Sequence, residues 1–371
     1  MIEKTYWGSE SLLRVVIIGG GIGGAELIRN AATKGGLKLV LIEPKDKIEC
    51  QALYPDYLSG EIGIDDMTAP LKPFCDKMDV TWVKDRAVSV DFDQKVVTCT
   101  SHEIEYDILV INAGSVQNYY GVKGSENTFS INTLEDVIRA KEFVDKEHPG
   151  DVSIIGSGPT GIETACALIE RLDSKIYIIE MMDRPLPTFA KTASNTMRKI
   201  LKKKGVKVLT SKQVKEIGVN QLIFSEGHPL VSEMVIWTAG IKPAPFVESL
   251  DLPKKGGWIL TDPYLRVLGK EDVFAIGDDA WIEIDDKIAT RTGMEAELQA
   301  KHTARNLAKL ARGEELKPYS ITANTGSPAA LISTGCRCAV GVYGSLCIHV
   351  PAKMIYTLKS WIDKSFVKRF K

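Results

Sequence analysis

Long hydrophobic runs are missing from this sequence. Nowhere in its 371 residues is there a stretch approaching the ~18 apolar residues that a membrane span requires, so the chain is not expected to cross a bilayer. Cysteine is scarce and unpatterned. The seven cysteines are odd in number and scattered, and residues 1–14 carry Glu3 and Glu10 with no apolar stretch, so they do not read as a secretory signal. That excludes a disulfide-stapled secreted domain and points to a reducing, cytoplasmic setting. Histidine is rarer still: His102, His148, His228, His302 and His349 are dispersed without metal-ligand spacing, and no metal is expected. Neither sign of charge dominates, and a net charge of −1 gives nucleic acid little to bind. The charge is uneven, however. Residues 353–371 hold six basic side chains against Asp363 alone, which makes the tail +5 and the body −6.

Hydrophobic and charged fractions of 44% and 26% are those of an ordinary globular protein, and the length suits two or three domains. Two segments repeat each other. Residues 14–24 read RVVIIGGGIGG and residues 151–161 read DVSIIGSGPTG. Each is a short β-branched strand running into glycines and then a helix, expected over 25–33 and 162–172. Each helix gives way to an apolar strand ending in an acid, LKLVLIE to Glu43 and KIYIIE to Glu180. Strand, turn, helix and strand make a βαβ unit of a parallel sheet. The copies lie 137 residues apart, from Gly19 to Gly156, far beyond a solenoid period. The expected fold class is therefore α/β, with two Rossmann-type dinucleotide-binding domains. Residues 83–115 and 207–239 alternate like small antiparallel sheets leading into a buried strand, and a helix is expected from about 293 to 310.

In Gly19-x-Gly21-x-x-Gly24, with Gly23 in the same loop, the first glycine makes a tight turn. The second lets backbone N–H groups approach a pyrophosphate, and the third allows close helix–strand packing. The phosphate then sits at the positive end of the helix. Glu43 is placed to accept a hydrogen bond from a ribose hydroxyl. Gly156-x-Gly158-x-x-Gly161 repeats this logic with Glu180 as the ribose acid. A glutamate there repels a 2′-phosphate, and Met181 follows it, so NADH is expected rather than NADPH; Arg184 nearby is the feature that weighs the other way. A glycine triplet alone could be a flexible turn, but here strand, helix and acid all accompany it.

These motifs resemble those of the pyridine-nucleotide disulfide oxidoreductases, flavoproteins with two dinucleotide-binding domains. YDILVINAGS (106–115) resembles the segment that returns the chain to the FAD domain and puts Ala113 and Gly114 near the cofactor. WTAGIKP (237–243), with Gly240, resembles the return from the NADH domain. FAIGD (274–278) resembles the segment whose aspartate, here Asp278 after Gly277, contacts the flavin ribitol and phosphate; a helix N-cap is the plainer alternative. The resemblance runs from about residue 14 to 310 and implies FAD at the first loop and NADH at the second. It implies an FAD domain at 1–115 and 241–320, an NADH domain at 116–240 and a C-terminal region at 321–371.

Within that superfamily, disulfide reductases carry a redox cysteine pair beside the flavin. Cys50 lies in the right neighbourhood, but Cys75 is too distant for a CxxxxC pair. Cys50-Gln-Ala-Leu-Tyr-Pro loosely echoes single-cysteine CoA-disulfide reductases and NADH oxidases, against an inert, partly buried thiol. By contrast, segments 48–60, 291–307 and 326–341 resemble the membrane-surface quinone reductases, namely type II NADH:quinone dehydrogenases and sulfide:quinone oxidoreductases. That resemblance implies quinone-site residues at Met294 and Gln299. It also implies a glutamate near nicotinamide and flavin at Glu163, which could instead complement the helix dipole at about 0.3–1 kcal/mol. Sulfide chemistry needs cysteines, yet Asn132 stands where one is wanted, Cys166 reads as core, and Cys336 and Cys338 lack a partner from elsewhere. Arg291-Thr292-Gly293 nevertheless resembles the sulfide branch more than the dehydrogenases.

Over 352–371, Met354, Ile355, Leu358, Trp361, Ile362, Phe366 and Phe370 cover one side of a helical wheel, with Arg369 as the only charge among them. Lys353, Ser360, Lys364 and Lys368 lie opposite. Such a helix suits an anionic membrane surface, or docking on the body or on a second subunit of a homodimer. The expectation is an FAD-dependent NADH:quinone oxidoreductase, peripheral on the inner face of the cell membrane. The alternatives are a sulfide:quinone oxidoreductase, a soluble enzyme using Cys50, and a slow NADH-binding redox sensor.

Overall fold

The fold is taken from a computed structural model and is described for residues 12–371; most of the N-terminal stretch read for a signal lies outside the described residues. The framework is a pair of five-stranded parallel sheets built on one plan. In the first, Leu13–Ile18 is central, with Leu37–Ile42 and Thr81–Val83 on one side and Ile108–Ile111 and Val273–Ala275 on the other. In the second, Asp151–Ile155 is central, with Lys175–Ile179 and Lys207–Leu209 on one side and Met234–Trp237 and Phe129–Ser130 on the other. The α/β class and the two Rossmann-type units are as expected. The central strands are largely aliphatic because both faces are covered: Val15, Val16, Ile17 and Ile18 are buried, as are Val152, Ile154 and Ile155, with the small Ser153 buried among them.

Parallel neighbours need a crossover, which the helices Ile22–Ala31 and Pro159–Arg171 supply. Each begins three residues earlier than its expected start. The glycines that would weaken a helix interior form its first turn, where N–H groups have no intrahelical partner in any case. Pro159 suits that position, having no N–H to leave unpaired. The expected antiparallel pieces are present as Ala87–Asp91, Val96–Cys99 and Glu103–Glu105, and as Val214–Gly218, Gln221–Phe224 and Leu230–Val231. The helix Gly293–Ala311 is capped by Thr292, whose hydroxyl accepts the Glu295 N–H at 3.3 Å.

After an antiparallel sheet of Ala329–Gly335, Cys338–Tyr343 and Leu346–Ile348, the chain ends in the helix Ala352–Lys368. The side that a wheel makes apolar but for Arg369 is divided. Phe366, Val367 and Phe370 are buried, with the Phe370 ring edge-on to Phe74 at 5.2 Å and to Phe366 at 4.8 Å. Arg369 bonds to Glu297 at 2.8 Å and approaches the fully buried Glu26 at 3.4 Å, so the charge that spoiled the wheel is what fastens the tail. Met354, Leu358, Trp361 and Ile362 remain exposed. Truncating Phe370 to alanine is expected to destabilise the fold by about 3–5 kcal/mol in urea unfolding. Trp361→Ala is expected to stay within about 0.5 kcal/mol of wild type.

Candidate active site

The two glycine loops match bond for bond. Glu43 accepts the Gly20 N–H at 2.7 Å and the Lys45 N–H at 2.9 Å. At positions 137 residues on, Glu180 accepts the Ser157 N–H at 3.1 Å and the Met182 N–H at 2.8 Å. Each acid thereby ties its strand end to the glycine turn. Gly19 and Gly156 adopt φ +101° and +103°, which side chains with a Cβ rarely tolerate. A Cβ on Gly19 would strike the Asn112 carbonyl; on Gly24 or Gly161 it would strike the carbonyl of its own loop's first glycine. The middle glycines differ: nothing lies within 4 Å of a Cβ built on Gly21 or Gly158. Two glycines of each loop are required by protein contacts and the third by something from outside. An incoming pyrophosphate accounts for that pattern, so the residues present fit two dinucleotides.

Beside the first loop lies a cavity of about 730 Å³, within the ~300–1,000 Å³ usual for ligand sites. Gly19, Gly21, Gly23 and Glu43 line one part of it, and Ala113, Gly114, Gly277 and Asp278 line another. The Asp278 carboxylate accepts from Ser115 Oγ at 2.7 Å, and burial pushes its pKa up against the pull of Ser115 and Arg291. Asn112 and Asp279 escaped the sequence reading, and Arg291, noted there only within Arg291-Thr292-Gly293, lines the cavity as well. Asn112 packs its side chain where a Cβ on Gly23 or Gly277 would go. Asp279 is fully buried; one carboxyl oxygen accepts the Gly114 N–H at 3.2 Å and the other has no partner, and burial raises its pKa well above the usual range. The Asp-Asp pair after Gly277 was the available signal, but only tertiary structure shows which carboxyl faces inward. Gly240 sits outside the cavity wall, where its carbonyl accepts from the Asn118 N–H at 3.2 Å.

A second polar cluster forms under the C-terminal helix. Glu163 is buried, accepts the Ser333 N–H at 2.8 Å and lies 3.4 Å from Lys359 Nζ. Lys359 is itself buried and bonds Asp363 at 2.8 Å. Burial drives the Glu163 carboxyl up to about 7, with Lys359 restraining the rise. Burial alone would lower Lys359, but Glu163 and Asp363 outweigh it and hold the ammonium charged. Glu163 therefore points at a lysine from the far end of the sequence and not at its own helix terminus. The four-residue spacing of Lys359 and Asp363 was the only sequence hint of this cluster.

Met294 is exposed, while Gln299 is buried and its amide oxygen accepts the Gly277 N–H at 2.7 Å. Arg184 bonds the carbonyls of Leu186, Pro187 and Phe189, which removes it as a ready partner for a 2′-phosphate. Cys50 is buried, and burial followed by the nearby Asp363 pushes its thiol up to about 12. Asn132 donates through Nδ2 to the Ser115 carbonyl at 3.1 Å. Cys336 is exposed on a hairpin turn near Lys204 and Glu170.

Two glycine loops, each with its strand-end acid, define an oxidoreductase scaffold for two dinucleotides. The family model for pyridine nucleotide-disulphide oxidoreductases matches residues 13–305, and the chain belongs to that family, using FAD and NADH. The type II NADH:quinone oxidoreductase of Staphylococcus saprophyticus is 25% identical, over 94% of this chain and 94% of that protein. NDH2 from Plasmodium falciparum in complex with NADH has the same fold at 16% identity, with a TM-score of 0.82 over 97% of both chains. So does the sulfide:quinone oxidoreductase of Aquifex aeolicus, at 20% identity and a TM-score of 0.85 over 96% of this chain and 91% of that one. Gly21→Ala and Gly158→Ala are expected to melt like wild type, since their Cβ atoms meet no protein. Each should lose its own dinucleotide, which separate titrations with FAD and NADH will report.

Proposed function

We propose that this chain is an NADH:quinone oxidoreductase of the type II kind, working at the inner face of the cell membrane. The observation that carries the reading is the completeness of both glycine loops in a protein whose Cys50, the thiol expected nearest the flavin, is buried and held protonated. Electrons brought by NADH then need an acceptor that is not a disulfide. The near full-length likeness to an enzyme named for quinone reduction supports a quinone. The FAD domain would comprise 1–115 and 241–320, the NADH domain 116–240, and 321–371 the C-terminal region.

Bound FAD supplies the chemistry of taking a hydride and releasing two electrons. The protein's own residues position the partners. The Gly19–Gly24 loop and Glu43 hold the FAD diphosphate and ribose, Ala113, Gly114 and Asp278 its middle, with Gly277 kept in place by Gln299. Gly156, Gly158, Gly161 and Glu180 hold NADH, and Gly240 shapes the return strand beside it. Reducing a quinone with one hydride consumes one further proton. Glu163, poised near pH 7 and backed by the charged Lys359, holds and releases that proton. Met294 flanks the quinone's approach, and the exposed Met354, Leu358, Trp361 and Ile362 meet the lipid in which quinones dissolve.

Anaerobic mixing of the holoenzyme with NADH should bleach the flavin, and a soluble quinone should restore it. Bleaching by sulfide and not by NADH would refute the proposal. Glu163 is protonated below about pH 7 and ionised above it, so turnover should fall as pH rises through that value. Glu163→Gln should lower turnover roughly 100-fold or more and flatten the pH profile. Cys50→Ser should leave turnover within a factor of about 2, as expected of a thiol that takes no part.

A further inference from the structure

Arg291 lines the large cavity, yet among the described residues its guanidinium has no acceptor. Among the described residues it makes no hydrogen bond or ion pair; its Nε is buried without a partner, and so is the Nε1 of Trp258 beside it. The guanidinium carbon lies 3.9 Å from the centroid of the Trp258 ring and 5.4 Å from that of Trp281. Trp281 is itself immobilised: its Nε1 donates to Glu283 at 2.8 Å, and Lys255 sits over its ring at 4.5 Å. The arginine is thus braced by aromatic faces, as cation–π geometry favours, and its donors are left over. Asp278 is close enough to interact with it, but Ser115 takes one of that carboxylate's oxygens.

The backbone shows where this cation points. Thr292, the next residue, caps the helix Gly293–Ala311, and a Cβ on Gly293 would lie 3.1 Å from Ile22 Cδ1, one residue beyond Gly21. Arg291 and two helix N-termini therefore converge on one stretch of the cavity, and all three favour negative charge. A partly buried guanidinium lacking an acceptor is unfavourable unless a ligand supplies one, and its planar fork matches paired anionic oxygens.

We propose that Arg291, braced by Trp258 and Trp281, binds an anionic edge of FAD: the diphosphate, or the N1–C2 carbonyl edge of the reduced ring. The inference rests on the cavity being the FAD site. It assigns to this chain a side-chain cation there, in addition to the backbone N–H groups of the glycine loop.

The test uses wild type, Arg291→Met and Arg291→Lys, each stripped of flavin, titrated with FAD by fluorescence, and poised as holoenzyme for its midpoint potential. A wild type that takes no FAD would defeat the cavity reading itself, whatever the variants do. If the contact is to the diphosphate, Arg291→Met should bind FAD roughly 10- to 100-fold more weakly at an unchanged potential. If it is to the reduced ring, oxidised FAD should bind as before and the potential should fall by about 30 mV for each tenfold loss of selective stabilisation. Arg291→Lys keeps the charge without the fork and should fall between. Wild-type affinity together with wild-type potential in a folded Arg291→Met overturns the proposal. If that variant does not fold, the same equality in Arg291→Lys overturns it.

Discussion

Backbone pressed against backbone, closer than a side chain allows, is the constraint on which the rest of this structure depends. Gly19 sits against Asn112 and Gly156 against Ala239, each at the point where a returning strand meets the first βα turn. That contact aligns the helix N-terminus with the ends of three strands. It also leaves the middle glycine of each loop facing open space. Glu43 and Glu180 then lock the turn through two N–H groups apiece, and the lock recurs with the same spacing in both halves. A fold organised this way has its anion-binding geometry in place before any dinucleotide arrives.

The second organising feature is charge taken out of water. Glu26, Glu163 and Lys359 are all buried, and the C-terminal helix supplies a partner to each acid: Arg369 to Glu26, Lys359 to Glu163. Buried ion pairs contribute modestly to stability but penalise misplacement heavily, because a displaced partner strands a charge. The tail is thereby held in register along its length, although half of its apolar surface stays in solvent. One helix supports the Glu163–Lys359–Asp363 cluster and presents Trp361 outward.

Much of the architecture was legible before the structure. The 137-residue repeat, the strand-end acids and the returning segments at 106–115, 237–243 and 274–278 are local patterns, and local patterns survive without knowledge of contacts. The helix starts were misjudged because a glycine lowers helix propensity everywhere except where the chain needs N–H groups without side chains. The tail was half legible. Helical spacing exposes an amphipathic face, but spacing does not say which part of that face meets protein.

The sequence by itself determined the α/β class, the two dinucleotide loops, the acids at the ends of the second strands and the lack of a cysteine pair. All of these follow from residue type at short range. Only the tertiary structure decided that Lys359 reaches Glu163, that Asn112 and Asp279 face inward, that Gln299 supports Gly277, and that Arg291 rests on two tryptophans with its donors free. These contacts join residues up to some 196 positions apart. Such a pairing leaves no periodic trace in the chain, because burial and charge partners are set by packing and not by neighbours in sequence.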